Sequence, residues 1–122
     1  MDTLPLSRSA PKRSACSAAS CHTATAMAPS LDGARAKALA ERLKALADPT
    51  RLRMLDLLAE QPEALCVCEI TSQFDLRQPT ISHHLRLLRE AGLIQGEKRG
   101  VWSYYWLTEE GTRIESLLGT LT

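Results

Sequence analysis

Two cysteines stand one residue apart in the segment LCVCEI, residues 65–70. Thiolates are the side chains that soft metal ions and metalloids prefer as ligands. The chain has four cysteines, and in a reducing compartment cysteines indicate metal binding or redox chemistry before structural disulfides. We therefore expect Cys66 and Cys68 to form the centre of a metal site.

With this spacing, the two sulfurs can meet only if the backbone departs from a regular helix. Residues i and i+2 of a regular helix lie about 200° apart around its axis, so the two sulfurs could not hold one ion there. The pair falls at the start of a predicted helix, where unwinding of the first turn would let the sulfurs converge. A helix N-terminus also lowers the pKa of a thiol. We expect ion capture by Cys66 and Cys68 to distort the helix that carries them.

Further ligands are available nearer the N-terminus. Cys16 and Cys21 are the candidates, with His22 a weaker one. The segment from His22 to Leu31 could extend at most about 33 Å, which is enough to bring these residues back over a folded domain. Three sulfurs would suit trivalent arsenic or antimony, whereas four would suit cadmium, lead or zinc.

The composition predicts one domain that follows an N-terminal arm. Residues 1–30 are poor in large apolar side chains and are expected to be disordered, and residues 31–122 are expected to form the domain. Its core would be small, a shortage that an obligate dimer would ease. No apolar run approaches 18 residues, and the N-terminus lacks the apolar stretch of a secretory signal, so we expect a cytoplasmic protein without a membrane span.

Apolar spacing and capping signals predict five helices and a hairpin in this domain. Asp48 and Pro49 are typical of an N-cap and a first helical position. The expected elements are a helix carrying Leu39, Leu43 and Leu46, a second helix from Pro49 with Leu52, Leu55, Leu58 and Ala59 inward, a third over 65–74, a fourth over 78–91, β-rich runs at 93–97 and 101–107, and a last helix capped by Thr108. This order is mainly α with a β-hairpin wing, which is the order of a winged helix-turn-helix.

The fourth helix is amphipathic in the way expected of a DNA-recognition helix. Ile81, Leu85 and Leu88 fall on one face, and His84 lies beside them as an expected packed, hydrogen-bonded residue. Short polar side chains and cations cover the other face and suit base edges and phosphates. Residues 77–99 carry a net charge of +3, whereas the whole chain carries +1. The candidate DNA-binding residues are Gln78, Thr80, Ser82, His83 and Arg86, with Lys98 and Arg99 at the hairpin tip.

Four segments together resemble the ArsR/SmtB family of metal-responsive repressors: LADPTRLRMLDLL, LCVCEI, QPTISHHLRLLREAGLI and EKRGVWSYYWL. The resemblance covers about residues 36–118. It implies a homodimer that pairs through its first and last helices, binds double-stranded operator DNA at two related half-sites, and leaves the DNA when metal binds. It also implies a regulator and not an enzyme.

Within that family the CVC motif marks members that sense through thiolates, and an arsenite-sensing branch is most similar in CVCEI and EKRGVWSYY. The resemblance implies arsenite or antimonite as the inducer, with Cys21 as the third ligand. Ser20 interrupts a Cys-Cys pair of that branch, and Thr71 stands where some arsenic sensors have another cysteine. Arg77 stands where the family often has a serine that caps the recognition helix.

Other functions remain open from the residues alone. A cadmium, lead or zinc sensor would use all four cysteines, and a redox-sensing repressor would form a disulfide. A thiol oxidoreductase is a different class, but the spacing is Cys-x-Cys rather than Cys-x-x-Cys and no βαβ pattern surrounds it. The last helix, TEEGTRIESLLGTLT, contains no histidine, so the Asp/His/Glu zinc site of other family members has no ligands there.

Overall fold

The structure is a computed structural model that describes residues 27–122 of the 122-residue chain. The candidate ligands Cys16 and Cys21, and all but the last few residues of the predicted arm, lie outside the described residues. Residues 33–122 form one unit that carries every helix and strand described below.

Two helices open this unit at the predicted places. Helix α1 spans Gly33–Leu46 and helix α2 spans Pro49–Glu60. Asp48 has extended backbone angles and its side chain accepts a hydrogen bond from the Arg51 amide at 3.1 Å. An N-cap of this kind satisfies a donor that the helix itself leaves free. The predicted start of α2 is therefore confirmed.

The third element differs from its prediction. The structure does not have a helix over 65–74: Leu65–Cys66 form a short strand, β1, and helix α3 spans only Val67–Thr71. β1 pairs with a strand of the hairpin, with Leu65 opposite Tyr105 and Cys66 opposite Tyr104. This pairing joins residues distant in sequence, so local periodicity does not reveal it.

The helix-turn-helix and the hairpin follow as expected. Helix α4 spans Gln78–Glu90, and Gly92, just beyond its end, takes a φ of 80° that glycine adopts readily. Strands β2, Ile94–Arg99, and β3, Trp102–Leu107, form the wing and turn at Gly100 and Val101. The antiparallel sheet has the order β1-β3-β2. Helix α5, Glu109–Gly119, begins at Thr108, whose hydroxyl accepts from the Gly111 amide at 3.0 Å.

The core lies where α2, α3, α4 and the wing meet. Ile81, Leu85 and Leu88 are fully buried, which confirms the predicted inner face of α4. Leu52 was expected on the inner face of α2 but is exposed, because Met54 fills the core beside Leu55 and Leu58. The other fully buried side chains are Ile70, Leu93 and Ile94. The helices of residues 27–122 include none with the length and apolar character needed to cross a bilayer.

Candidate functional site

The two cysteines of the CVC motif are in direct contact. The Sγ atoms of Cys66 and Cys68 lie 2.7 Å apart, and both residues are free cysteines. Cys66 is buried and Cys68 is exposed, so the pair opens to solvent on one side. The structure thus brings together the two residues that the sequence predicts as the centre of a metal site.

The pair converges without unwinding of a helix, contrary to the expectation from the sequence. Cys66 is the N-cap of α3 and has extended angles, φ −69° and ψ 147°. Because Cys66 stands before the first helical residue, the 200° separation of a regular helix does not apply to it. The strand-to-helix turn points both side chains the same way. The predicted distortion of the helix is therefore not needed to close the pair.

A carboxylate holds this turn. The Cys66 amide donates to Glu69 Oε1 at 2.8 Å, and the Cys68 amide donates to Cys66 Sγ at 3.4 Å. The arrangement is a capping box in which cysteine takes the usual place of serine or threonine. Sequence reasoning missed Glu69, although the spacing of Cys66 and Glu69 is the spacing of that motif.

The ionisation of Cys68 also differs from the expectation. The hydrogen bond with the Cys66 thiol raises the pKa of Cys68, and desolvation acts in the same direction. The prediction that the helix start lowers the thiol pKa is wrong for Cys68, because the neighbouring sulfur outweighs the amide of Glu69. An incoming ion must therefore displace a proton from this thiol.

The described residues supply two thiol ligands and no larger set. Among residues 27–122, no group of three or more histidine, cysteine, aspartate or glutamate side chains is arranged to hold a metal ion. Two thiolates can chelate a soft ion but leave the remaining coordination positions open. The predicted additional ligands Cys16 and Cys21 lie outside the described residues.

The sulfur pair is joined to both elements expected to meet DNA. Helix α3 packs against α4, with Ile70 in the same buried cluster as Ile81 and Leu85. Strand β1, which contains Cys66, pairs with β3 of the wing. A displacement of this turn would therefore act on α4 and on the wing together.

The predicted DNA-binding side chains all lie on the surface. On α4, the exposed residues include Gln78, Thr80, Ser82, His83 and Arg86, and on the wing Lys98 and Arg99 are exposed. His83 Nδ1 and Arg86 Nη2 are 2.9 Å apart. Arg77, the N-cap of α4, makes no side-chain cap hydrogen bond. The arrangement exposes polar groups and cations of the kind that bind base edges and phosphates.

On the wing, Arg99 is more constrained than the sequence indicates. It is the last residue of β2 and not part of the two-residue tip. Its Nε lies 2.7 Å from Glu97 Oε2, and its guanidinium carbon lies 4.7 Å from the centre of the Tyr104 ring. Both contacts fix the position of the cation. Lys98 lies on the opposite face of β2, across from Ser103.

A second network ties α4 to the start of α2. Arg51 Nη1 donates to His84 Nδ1 at 3.0 Å, and Arg51 Nε donates to the Ala45 carbonyl. Desolvation lowers the pKa of His84, against the opposing effect of Asp48. The prediction of a packed, hydrogen-bonded His84 is confirmed. Its partner Arg51, 33 residues away, was not predicted because no local spacing connects the two.

Comparison with known proteins identifies this arrangement. A family model described as "Bacterial regulatory protein, arsR family" matches residues 48–95. An uncharacterised helix-turn-helix transcriptional regulator of Methanocaldococcus jannaschii is 46% identical over 71 residues, which are 58% of this chain and 79% of that protein. An arsenic resistance transcriptional regulator of Pseudomonas putida is 52% identical over 67 residues, 55% of this chain and 52% of that protein, so the match spans about half of that relative.

The fold comparison agrees. The homodimeric winged helix-turn-helix DNA-binding domain of a possible ArsR-family transcriptional regulator from Mycobacterium bovis superposes with a TM-score of 0.67 at 29% identity. The superposition covers 79% of this chain and 88% of that domain. The chain therefore belongs to the ArsR family of winged helix-turn-helix bacterial regulatory proteins, which are DNA-binding transcriptional regulators and not enzymes.

Proposed function

We propose that this protein is a cytoplasmic repressor that binds operator DNA as a homodimer and is released by trivalent arsenic or antimony. The observation that carries the proposal is the 2.7 Å contact between the Cys66 and Cys68 sulfurs, on a turn between β1, which pairs with the wing, and α3, which packs against α4. Relatives from Pseudomonas putida and Escherichia coli bear the names of arsenic resistance regulators, which agrees with this ligand class.

Helix α4 would read the major groove. Its exposed N-terminal face offers Gln78, Thr80 and Ser82 as hydrogen-bonding groups, and His83 and Arg86 follow along the helix. Lys98 and Arg99 on the wing would contact the backbone or the minor groove. In a dimer, two such helices about one DNA turn apart would bind two related half-sites.

The dimer would form through α1 and α5. These helices expose leucines that the protomer does not cover: 41% of Leu39, 52% of Leu43, 67% of Leu117 and 78% of Leu121. An ion pair of 3.2 Å between Arg42 and Glu110 holds the two helices to each other within one protomer. Covering the leucines with a second copy would stabilise each protomer by the burial of apolar surface.

Inducer binding would use sulfur alone. Cys66 and Cys68 supply two thiolates, and Cys21 would supply the third that a three-coordinate arsenic or antimony centre takes, with Cys16 as a further candidate. Because α3 packs on α4 and β1 pairs with β3, a shift of the turn on binding would penalise the DNA-bound arrangement. A coupling free energy of about 1–3 kcal/mol between the two sites is typical of such linkage.

A gel-shift experiment on the DNA upstream of the protein's own gene tests the proposal. Arsenite, antimonite, cadmium, lead and zinc are compared at matched low concentrations. We expect wild-type protein to be released by arsenite and antimonite, and Cys66→Ser and Cys68→Ser proteins to bind the DNA but to stay bound. Gln73→Ala changes an exposed side chain shortly after α3; it is the matched control and should behave as wild type.

Two outcomes would contradict the proposal. Release of either cysteine variant as readily as the wild type would remove the pair from the inducer site. Release by cadmium, lead or zinc without release by arsenite or antimonite would assign the site to a divalent metal instead.

A further inference from the structure

We propose that Glu69 is a positioning residue of the inducer site, which fixes the distance between the Cys66 and Cys68 sulfurs without being a ligand. This inference rests on the function proposed above, because it concerns the same pair. It is carried by the hydrogen bond of 2.8 Å that Glu69 Oε1 accepts from the amide of Cys66.

The contact acts on the one residue whose backbone determines the geometry of the pair. Cys66 has extended angles and Cys68 is helical, and the sulfurs meet because the chain changes from strand to helix between them. Were Cys66 to join the helix as an additional N-terminal residue, the two side chains would return to an angle of about 200° around its axis. The carboxylate holds the amide of Cys66 at the cap position and so opposes that change.

A helix as short as α3 gives little support of its own to this turn. It has five residues, which is far below the length at which a helix is stable in water without help. Pairing of β1 with β3 holds Leu65 and Cys66, and Glu69 holds the Cys66 amide. The two constraints together preorganise the sulfurs, and preorganisation reduces the cost of binding a ligand.

Glu69 would not itself coordinate the ion. Its Oε1 accepts from a backbone amide, and the described part of the chain contains no cluster of three metal-ligating side chains around the pair. Trivalent arsenic and antimony also prefer sulfur to a carboxylate oxygen. The effect of Glu69 on binding is therefore indirect and depends on its acceptor oxygen.

The test distinguishes the effect of the acceptor oxygen of Glu69 from the effect of its negative charge. Glu69→Gln keeps a side-chain oxygen that can accept from the Cys66 amide, whereas Glu69→Ala removes it. Glu63→Ala, which removes an equal charge from the exposed loop before β1, is the matched control. Arsenite affinity of the full-length chain is measured by the sulfur-to-arsenic absorption band, and circular dichroism shows that each variant is folded.

A second measurement does not depend on the inducer. In full-length protein with Cys16 and Cys21 replaced by serine, dibromobimane becomes fluorescent only when it alkylates both remaining thiols. The rate of this cross-linking reports how often the Cys66 and Cys68 sulfurs are close. It has meaning even if the protein binds no arsenic.

We expect Glu69→Ala to weaken arsenite binding and to slow cross-linking, each about fivefold, which is the size of effect that loss of one cap produces. Glu69→Gln and Glu63→Ala should stay within about twofold of wild type. If folded Glu69→Ala cross-links at the wild-type rate, the positioning role is wrong. If all variants cross-link as expected but wild type binds no arsenite or antimonite, the positioning role stands and the proposed function falls.

Discussion

Cys66 lies directly opposite Tyr104 in the antiparallel pairing of β1 with β3, and the ring of Tyr104 supports the guanidinium of Arg99. A proposed inducer ligand and a proposed DNA-binding cation are therefore separated by one aromatic side chain. The wing is joined to the sulfur pair through this strand pairing, and the recognition helix is joined to it through α3.

The support of Arg99 by Tyr104 can be tested by changing the ring. We expect Tyr104→Leu to weaken operator binding about two- to fivefold, because a cation–π contact at an exposed site contributes about 0.5–1 kcal/mol. Tyr104→Phe keeps the ring and should bind as wild type. Fluorescence anisotropy with labelled operator DNA measures both affinities. Equal affinities for the leucine and phenylalanine variants would show that the ring does not position Arg99.

The partial burial of His84, reinforced by the nearby charge of Arg51, makes stability depend on pH. The lowered pKa of His84 means that the unfolded chain binds this proton more tightly than the folded chain. The stability that neutral His84 contributes to the folded chain is complete above the ordinary histidine pKa of about 6.5. It is lost as the pH falls below that value. We expect the urea midpoint of unfolding to be lower at about pH 5.5 than at about pH 7.5.

The matched variants for this prediction are His84→Asn and His83→Asn. Asparagine at position 84 can accept from Arg51 through its amide oxygen but does not titrate, so the pH dependence should shrink. His83 is exposed, and it makes only the smallest contribution to the lowered pKa of His84, so its replacement should leave most of the dependence in place. A full pH dependence in His84→Asn would assign it to another group.

Gly111 is a buried glycine at the start of α5. A Cβ at this position would collide with the carbonyl oxygen of Leu93, which belongs to the segment between α4 and the wing. We expect Gly111→Ala to lower the free energy of unfolding by about 1–3 kcal/mol, which is the usual range for overpacking. Gly119→Ala is the control on the same helix, since nothing lies within 4 Å of its Cβ. Urea unfolding compares them, and equal stability of the two variants would contradict the close approach.

A different residue at the N-cap of α4 would stabilise this helix. Arg77 makes no cap hydrogen bond, and Ser, Thr, Asp or Asn at such a position typically stabilises a helix by about 1 kcal/mol. We expect Arg77→Ser to raise the free energy of unfolding by about this amount and to weaken DNA binding through loss of a cation. Arg89→Ser removes an equal charge from the last turn and should not stabilise. If Arg77→Ser instead lowered the free energy of unfolding, Arg77 would make a structural contact that stabilises the fold more than a serine cap does.

The exposed leucines of α1 and α5 predict the oligomeric interface. We expect Leu43→Glu and Leu117→Glu to convert a dimer into monomers at micromolar concentration, since a charge in an apolar interface must be desolvated without a partner. Ser116→Glu, next to Leu117 but on another side of α5, should remain dimeric. Analytical ultracentrifugation measures the state. Dimers in both leucine variants would place the interface elsewhere.

The elements that the sequence predicted well are those with local signals. Asp48 and Pro49 mark the start of α2 through a cap and a fixed φ, and the seam of Ile81, Leu85 and Leu88 follows the helical period. The hairpin was recognisable because β-branched and aromatic residues flank a glycine turn. In each case the information lies within a few residues of the element.

The parts that the sequence did not reveal depend on distant partners. The two residues of β1 are a strand only because Tyr104 and Tyr105 pair with them, and that pairing moves the start of α3 to Val67. The consequence reaches the candidate site, since the sulfurs meet only because Cys66 stands outside the helix. Likewise, Met54 rather than Leu52 is buried because of how α2 sits against the rest of the core.

The brevity of β1 has a consequence for how such a regulator could respond to small amounts of inducer. Only two residue pairs join this strand to the wing. Each backbone hydrogen bond contributes about 1 kcal/mol net, so the hydrogen bonds of this pairing are similar in size to the 1–3 kcal/mol of ordinary allosteric coupling. The sulfurs thus lie on an edge strand with few backbone hydrogen bonds, so a bound atom need only alter this short pairing, and not unfold the domain, for its effect to reach the wing.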